Sequence, residues 1–170
     1  MMKQNKEALM KKTVICVVAA LLLFHSFTFQ CFAATNDTLN PKGRIITCAD
    51  GGYIVVEISE DPSFPARSEN ASNTISGSVT YTKKSSSNVV QWVAVLNASF
   101  SYDGYSSTCI AANCNVSFYD SSYSLSNKSV TKAGNTAIAV ITIAYKILGI
   151  TISTNTYTLT LSCDSTGHLF

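Results

Sequence analysis

The sequence predicts an all-β protein: an antiparallel β-sandwich of about seven to nine strands, preceded by a cleaved signal helix. Three observations predict it. From Gly77 onward Thr, Ser, Val, Ile and Tyr dominate, the residues that suit a pleated, half-buried surface. Strict apolar/polar alternation runs through several segments, and none carries a capped 3.6-residue period. Turn signals such as Asp103-Gly104 and Gly149 punctuate the text at strand-like spacing.

Residues 1–33 have the three-part layout of a secretory signal peptide. Lys3, Lys6, Lys11 and Lys12 make a basic start, residues 13–24 an apolar run, and Ala33 closes a small-residue cleavage context. The run is shorter than the ~20 apolar residues that cross a bilayer, so cleavage is expected, with no transmembrane span remaining. Cleavage removes four of the 12 basic residues and, with Glu7, one of the 10 acidic ones, which leaves a net charge of −1 in place of +2. Such a chain lacks the basic surface that displaces counterions from nucleic acid. Its 46% hydrophobic content excludes a disordered chain.

Residues 34–76 read as a polar tail, a short hairpin and a loop. The β-branched runs 44–48 and 53–58 flank Ala49-Asp50-Gly51-Gly52, where glycine supplies positive φ. Residues 59–76, with Pro62 and Pro65, read as a long loop that separates this hairpin from a sandwich domain over 77–170. In residues 89–102 one face reads Val90, Trp92, Ala94, Leu96, Ala98, Phe100, Tyr102, a core face; Gln91, Val93, Val95, Asn97 and Ser99 point the other way. After the Asp103-Gly104 turn, strands are expected over 106–110, 115–119 and 124–131. The last pair, 135–148 and 150–163, flanks Gly149. In the final strand Tyr157, Leu159, Leu161 and Cys163 face inward, and Thr154, Thr156, Thr158 and Thr160 face solvent. Trp92 lies between Cys48 and Cys109, as a Trp lies between the cysteines of immunoglobulin domains, but too far from Cys48. The expected sandwich is therefore Ig-like in architecture only.

Cys16 and Cys31 leave with the signal. Cys48, Cys109, Cys114 and Cys163 remain, an even number in an exported chain, which reads as two disulfides. Four cysteines allow three connectivities. The expected one joins Cys109 to Cys163, closing about 55 residues for roughly 4 kcal/mol in the chain-entropy model, and Cys48 to Cys114, stapling the hairpin to the sandwich. The C-x4-C spacing of Cys109 and Cys114 is loose for zinc, and His168 is the single mature histidine. No metal or other cofactor is expected.

Chemistry-bearing patterns are sparse. There is no Gly-x-Ser-x-Gly elbow, phosphate loop or dinucleotide fingerprint. His168 sits near the last residue, a poor place for a general base. Glu57, Glu60 and Asp61 cluster beside the Pro loop, where Ca²⁺ takes oxygen ligands, but they read as a solvated loop. Asp103 and Asp164 read as turn residues. No catalytic residue is expected. The candidate ligand-binding residues are Tyr102, Tyr105, Tyr119 and Tyr123, set among Ser-rich turns, since Tyr and Ser together make adaptable recognition surfaces. The rival reading has these rings covering the sandwich core. The apolar tip Ile147-Leu148-Gly149-Ile150 is expected to fold back on the amino-terminal hairpin rather than enter a membrane or a partner's groove.

Several pieces together carry a resemblance: Trp92-Val-Ala-Val-Leu96, Phe100-Ser-Tyr102-Asp-Gly104, Ser106-Ser-Thr-Cys109, Lys146-Ile-Leu-Gly149-Ile-Thr-Ile-Ser-Thr154 and Tyr157-Thr-Leu-Thr-Leu-Ser-Cys163. Over about residues 77–167 the chain resembles small secreted proteins of unknown function from clostridia-like Gram-positive bacteria. The resemblance implies export, a bacterial source and pairing of Cys109 with Cys163. It implies no activity. The expectation is a secreted, non-catalytic binding or structural module at the cell envelope or in the extracellular space, with a cell-wall or host glycan or a protein as its partner. The alternative is a secreted effector or inhibitor acting on a protein partner.

Overall fold

The computed structural model describes residues 43–61 and 73–170. The expected signal peptide, the tail before Gly43 and both loop prolines lie outside the described residues. Eight strands appear among those described: β1 (Arg44–Thr47), β2 (Tyr53–Glu60), β3 (Asn73–Lys84), β4 (Val90–Tyr102), β5 (Ser107–Phe118), β6 (Tyr123–Ala133), β7 (Thr136–Ile147) and β8 (Ile150–Ser162). They form two antiparallel meanders, a five-stranded sheet β1-β2-β3-β4-β5 and a three-stranded sheet β6-β7-β8. The strand order follows the chain within each sheet, unlike the interleaved order of an immunoglobulin domain.

One core joins the two sheets. Trp92, Ala94, Leu96 and Phe100 of β4 are fully buried against Ala139 and Ile141 of β7 and Leu159 and Leu161 of β8. The alternation expected for β4 and β8 holds: Thr154, Thr156, Thr158 and Thr160 are exposed. Thr142 and Thr156 share a hydroxyl hydrogen bond of 3.0 Å on the outer face. The β7–β8 hairpin turns on Leu148 (φ 51) and Gly149 (φ 80), the double positive-φ geometry of a tight hairpin.

Three expectations change. The loop expected over 59–76 begins after Glu60 and ends before Asn73. Residues 53–60 pair along β3 from Tyr53↔Lys84 to Glu60↔Gly77, so the amino-terminal hairpin belongs to the main sheet. The strands expected over 106–110 and 115–119 are one strand, β5. A bulge between its pairings Ser99↔Ala111 and Phe100↔Cys109 leaves Ile110 outside the ladder, which lets Cys109 and Cys114 both face the core. The hairpin tip does not fold back: Leu148 is 97% exposed, and Ile147 and Ile150 are exposed beside it.

No disulfide joins Cys48, Cys109, Cys114 and Cys163 in the structure. For Cys48 and Cys114 the ladder gives the reason. Cys114 lies opposite Leu96, Leu96 opposite Val79, and Val79 opposite Ile58. Cys48 follows Thr47, which faces Tyr53. Five residues of strand separate those levels, about 17 Å at strand rise, against the ~4.4–6.8 Å between Cα atoms that a disulfide spans. Cys109 and Cys163 share one end of the core. Their amides donate to the adjacent carbonyls of Gly134 (2.8 Å) and Asn135 (3.0 Å). Burial pushes both thiols above the usual range.

Candidate functional site

The two sheets part at the end where the β1–β2 turn, the β3–β4 turn and the start of β6 meet. A cleft of about 700 Å³ opens there, within the range of small-ligand sites. Its composition follows from the strands that reach it. Alternation from Val79 through Tyr81 places Lys83 on the inward face of β3, opposite Ile54 and Trp92. Lys83 is 2% exposed, and its ammonium donates to Asp50 Oδ1 at 2.7 Å. The same oxygen accepts the Gly52 amide at 2.9 Å. A Cβ on Gly52 would lie 2.6 Å from Lys83 Nζ, so glycine is what lets the β1–β2 turn close over the ammonium.

Gln91 arrives by a defect in the ladder. Lys83 pairs with Trp92 and Lys84 with Val90, so Gln91 is the extra residue of a bulge. Alternation in β4 aims it at the outer face; the bulge re-aims it into the cleft. Its backbone carbonyl accepts the Tyr119 and Asp120 amides. Its side-chain Oε1 is buried and has no hydrogen-bond partner among the described residues.

Tyr123, Tyr145 and Tyr157 form the walls, with Trp92 buried behind Tyr157. Trp92 and Tyr157 lie with centroids 5.0 Å apart, and Tyr123 and Tyr145, opposite one another across β6 and β7, at 5.1 Å. Burial, then the charges of Asp50 and Asp120 and the neighbouring Tyr145, pushes the Tyr123 phenol up to about 12, against a hydrogen bond from Gln91 that lowers it. Tyr123 is therefore a neutral hydroxyl at any physiological pH, suited to hydrogen bonding rather than to proton abstraction. Asp50 is balanced by Lys83, and Asp120 adds a carboxylate whose Oδ1 accepts the Ser122 amide at 2.9 Å. The formal charge of the cleft is thus negative, which favours neutral or cationic ligands over anions.

The four candidate tyrosines do not come together. Tyr123 lines the cleft and Tyr119, 68% exposed, stands just outside its lining at the same end. Tyr102 and Tyr105 lie beyond the other end of β5, about 35–40 Å away at strand rise. Tyr105 is 95% exposed in the β4–β5 turn. Tyr102 packs against Gly167, whose φ of +88 and close approach to the ring leave no room for a Cβ. Glu57 and Glu60 fall on opposite faces of β2, and no cluster of three metal-ligating side chains exists among the described residues. Asp103 and Asp164 act as expected of turn residues. Asp103 Oδ1 accepts the Tyr105 and Ser106 amides, and Asp164 Oδ1 those of Thr166 and His168.

Sequence reasoning missed Lys83, Asp50 and Gln91. For Lys83 the signal was present, since it continues the inward run Val79, Tyr81. For Gln91 the bulge reverses the signal.

The fold and site together define a two-sheet, all-β protein with a tyrosine-walled cleft between its sheets. No family model, no curated protein and no solved structure matches the chain.

Proposed function

We propose that the protein is an exported, non-catalytic binding module of the envelope or extracellular space, and that the inter-sheet cleft is its site. The ligand is a neutral, hydroxyl-rich group, such as one sugar unit of a glycan. The observation that carries this reading is the cleft itself, about 700 Å³ and lined by Tyr123, Tyr145 and Tyr157 with Gln91, Asn155 and Ser153 beside them. The tyrosine rings offer apolar faces for a sugar's C–H surface with hydroxyls at their rims. The negative cleft disfavours acidic sugars.

The test is co-sedimentation of residues 34–170 with insoluble cell wall, with mucin and with neutral polysaccharide. Saturable retention that Gln91→Met abolishes supports the reading. Equal retention of the variant, or retention by none of the three materials, overturns it.

A further inference from the structure

The free edges of the two sheets are treated differently. Along β5, Lys128 Nζ donates to Cys114 O at 2.8 Å and Lys132 Nζ to Ile110 O at 2.9 Å, so ammonium groups from β6 cover that edge. Charged lysines of this kind keep a sheet edge from pairing with another chain. The β8 edge has no such guard. It runs 13 residues, Ile150–Ser162, without a charge or a proline.

The direction of its backbone groups follows from the register. Ser162 exchanges both hydrogen bonds with Phe170 of the carboxy-terminal tail, so even-numbered residues turn their N–H and C=O away from β7. Thr158 O, also even, accepts the Tyr81 hydroxyl. Among the described residues nothing else bonds the outward groups of Thr154, Thr156, Thr158 and Thr160.

A roof extends over this edge. β5 sits beside β6, and β3 reaches β8 through Tyr81, so the five-stranded sheet overhangs the three-stranded one by β1 and β2. The inward residues of β2 beneath that overhang become less covered along the strand: Ile54 is 1% exposed, Val56 is partly buried and Ile58 is 48% exposed. The tail already shows how the slot is used. Leu169 bridges Cys163 in antiparallel fashion, and its side chain, 4% exposed, packs on Gly77 under the roof.

We propose that the β8 edge from Thr154 to Thr160 is a docking site for one extended segment of a protein partner, added as an antiparallel strand with apolar side chains at alternate positions turned under β2. A single strand is the occupant because of the overhang. About two strand widths, near 10 Å, are roofed. A second copy pairing through its own β8 would bring a second roof into the same space. The slot adjoins the cleft, which Asn155 and Tyr157 of the same stretch also line, but the inference rests on the edge's backbone groups and not on the cleft ligand.

Amide hydrogen exchange on the whole protein tests it. In the free protein the outward amides of Thr154, Thr156, Thr158 and Thr160 exchange fast, while those of Tyr157 and Leu159, bonded to β7, are protected. The probe is a synthetic peptide with a seven-residue alternating Val/Thr centre and terminal lysines. At saturation it slows the four outward amides by about tenfold or more. The same peptide N-methylated at alternate residues, which removes its donors, does not. Gln91→Met leaves peptide binding unchanged, which separates this site from the cleft. Outward amides already protected in the free protein, protection that rises with protein concentration as a dimer forms, equal binding of the methylated peptide, or no protection by the parent peptide would each overturn the proposal.

Discussion

Replacing Lys83 and Asp50 singly and together isolates the energetics of the cleft floor. The ammonium is 2% exposed, whereas the Asp50 side chain is 51% exposed. Asp50→Ala therefore strands a buried cation and should cost about 3–5 kcal/mol. It also frees the Gly52 amide, for about 1 kcal/mol within that figure. Lys83→Met keeps the stem packed between Ile54 and Trp92 and removes the charge that was costly to bury. Asp50 then remains solvated and bonded to Gly52, so the change should stay within about 1 kcal/mol of the parent. Lys83→Ala removes roughly three methylenes as well, for about 2–3 kcal/mol. In the Lys83→Met background, Asp50→Ala should cost only the Gly52 bond, about 1 kcal/mol. Urea unfolding with a constant slope reads all four values. Equal losses for Lys83→Met and Asp50→Ala, or additive losses in the double variant, would refute the reasoning.

Three further outcomes follow from local geometry. Gly77→Ala puts a Cβ 2.6 Å from Ser59 O and against Leu169 Cδ1; it should destabilise by about 1–3 kcal/mol, and Leu169→Ala should rescue part of that loss in a double-variant cycle. Backbone hydrogen bonds to Asp103, and Thr166 and His168 to Asp164, hold both carboxyls below the usual aspartate range. A lowered folded value means stability that is present above the unfolded pKa and lost as pH falls through the folded one. Below about pH 4, Asp164→Asn, which keeps an acceptor but cannot titrate, should flatten that loss in acid-unfolding curves. Finally, a non-reduced peptide map of protein secreted into an oxidising medium should join Cys109 to Cys163 and should not join Cys48 to Cys114; the reverse would refute the register argument.

The core was legible wherever strand alternation ran unbroken. Trp92 to Phe100 and Tyr157 to Cys163 announced their inward faces because each second residue is apolar without a break, while the opposite face turns to Asn97 and Ser99 in β4 and to Thr158, Thr160 and Ser162 in β8. Asp103-Gly104 and Gly149 marked real hairpin turns for the same local reason: each needs a residue tolerant of positive φ. Bulges broke the reading. The one at Gln91 turned a residue assigned to the outer face into the cleft, and the one at Ile110 hid the continuity of β5. Long-range placement was illegible too. Tyr102 and Tyr123 look clustered along the chain, yet β5 runs straight between their turns and holds them at opposite ends. Lys83 was passed over because lysine is rarely buried, although its position in the β3 alternation pointed inward.

Gln91 offers the most direct measurement. It is the single glutamine of residues 34–170, so a ¹³C label on glutamine Cδ gives one carbonyl signal. Titrating a neutral oligosaccharide into the labelled protein should shift that signal saturably, as the ligand fills the cleft that Gln91 lines, and an acidic oligosaccharide of equal length should shift it less. A signal that stays fixed while the protein binds the sugar would contradict the assignment of the cleft as the binding site.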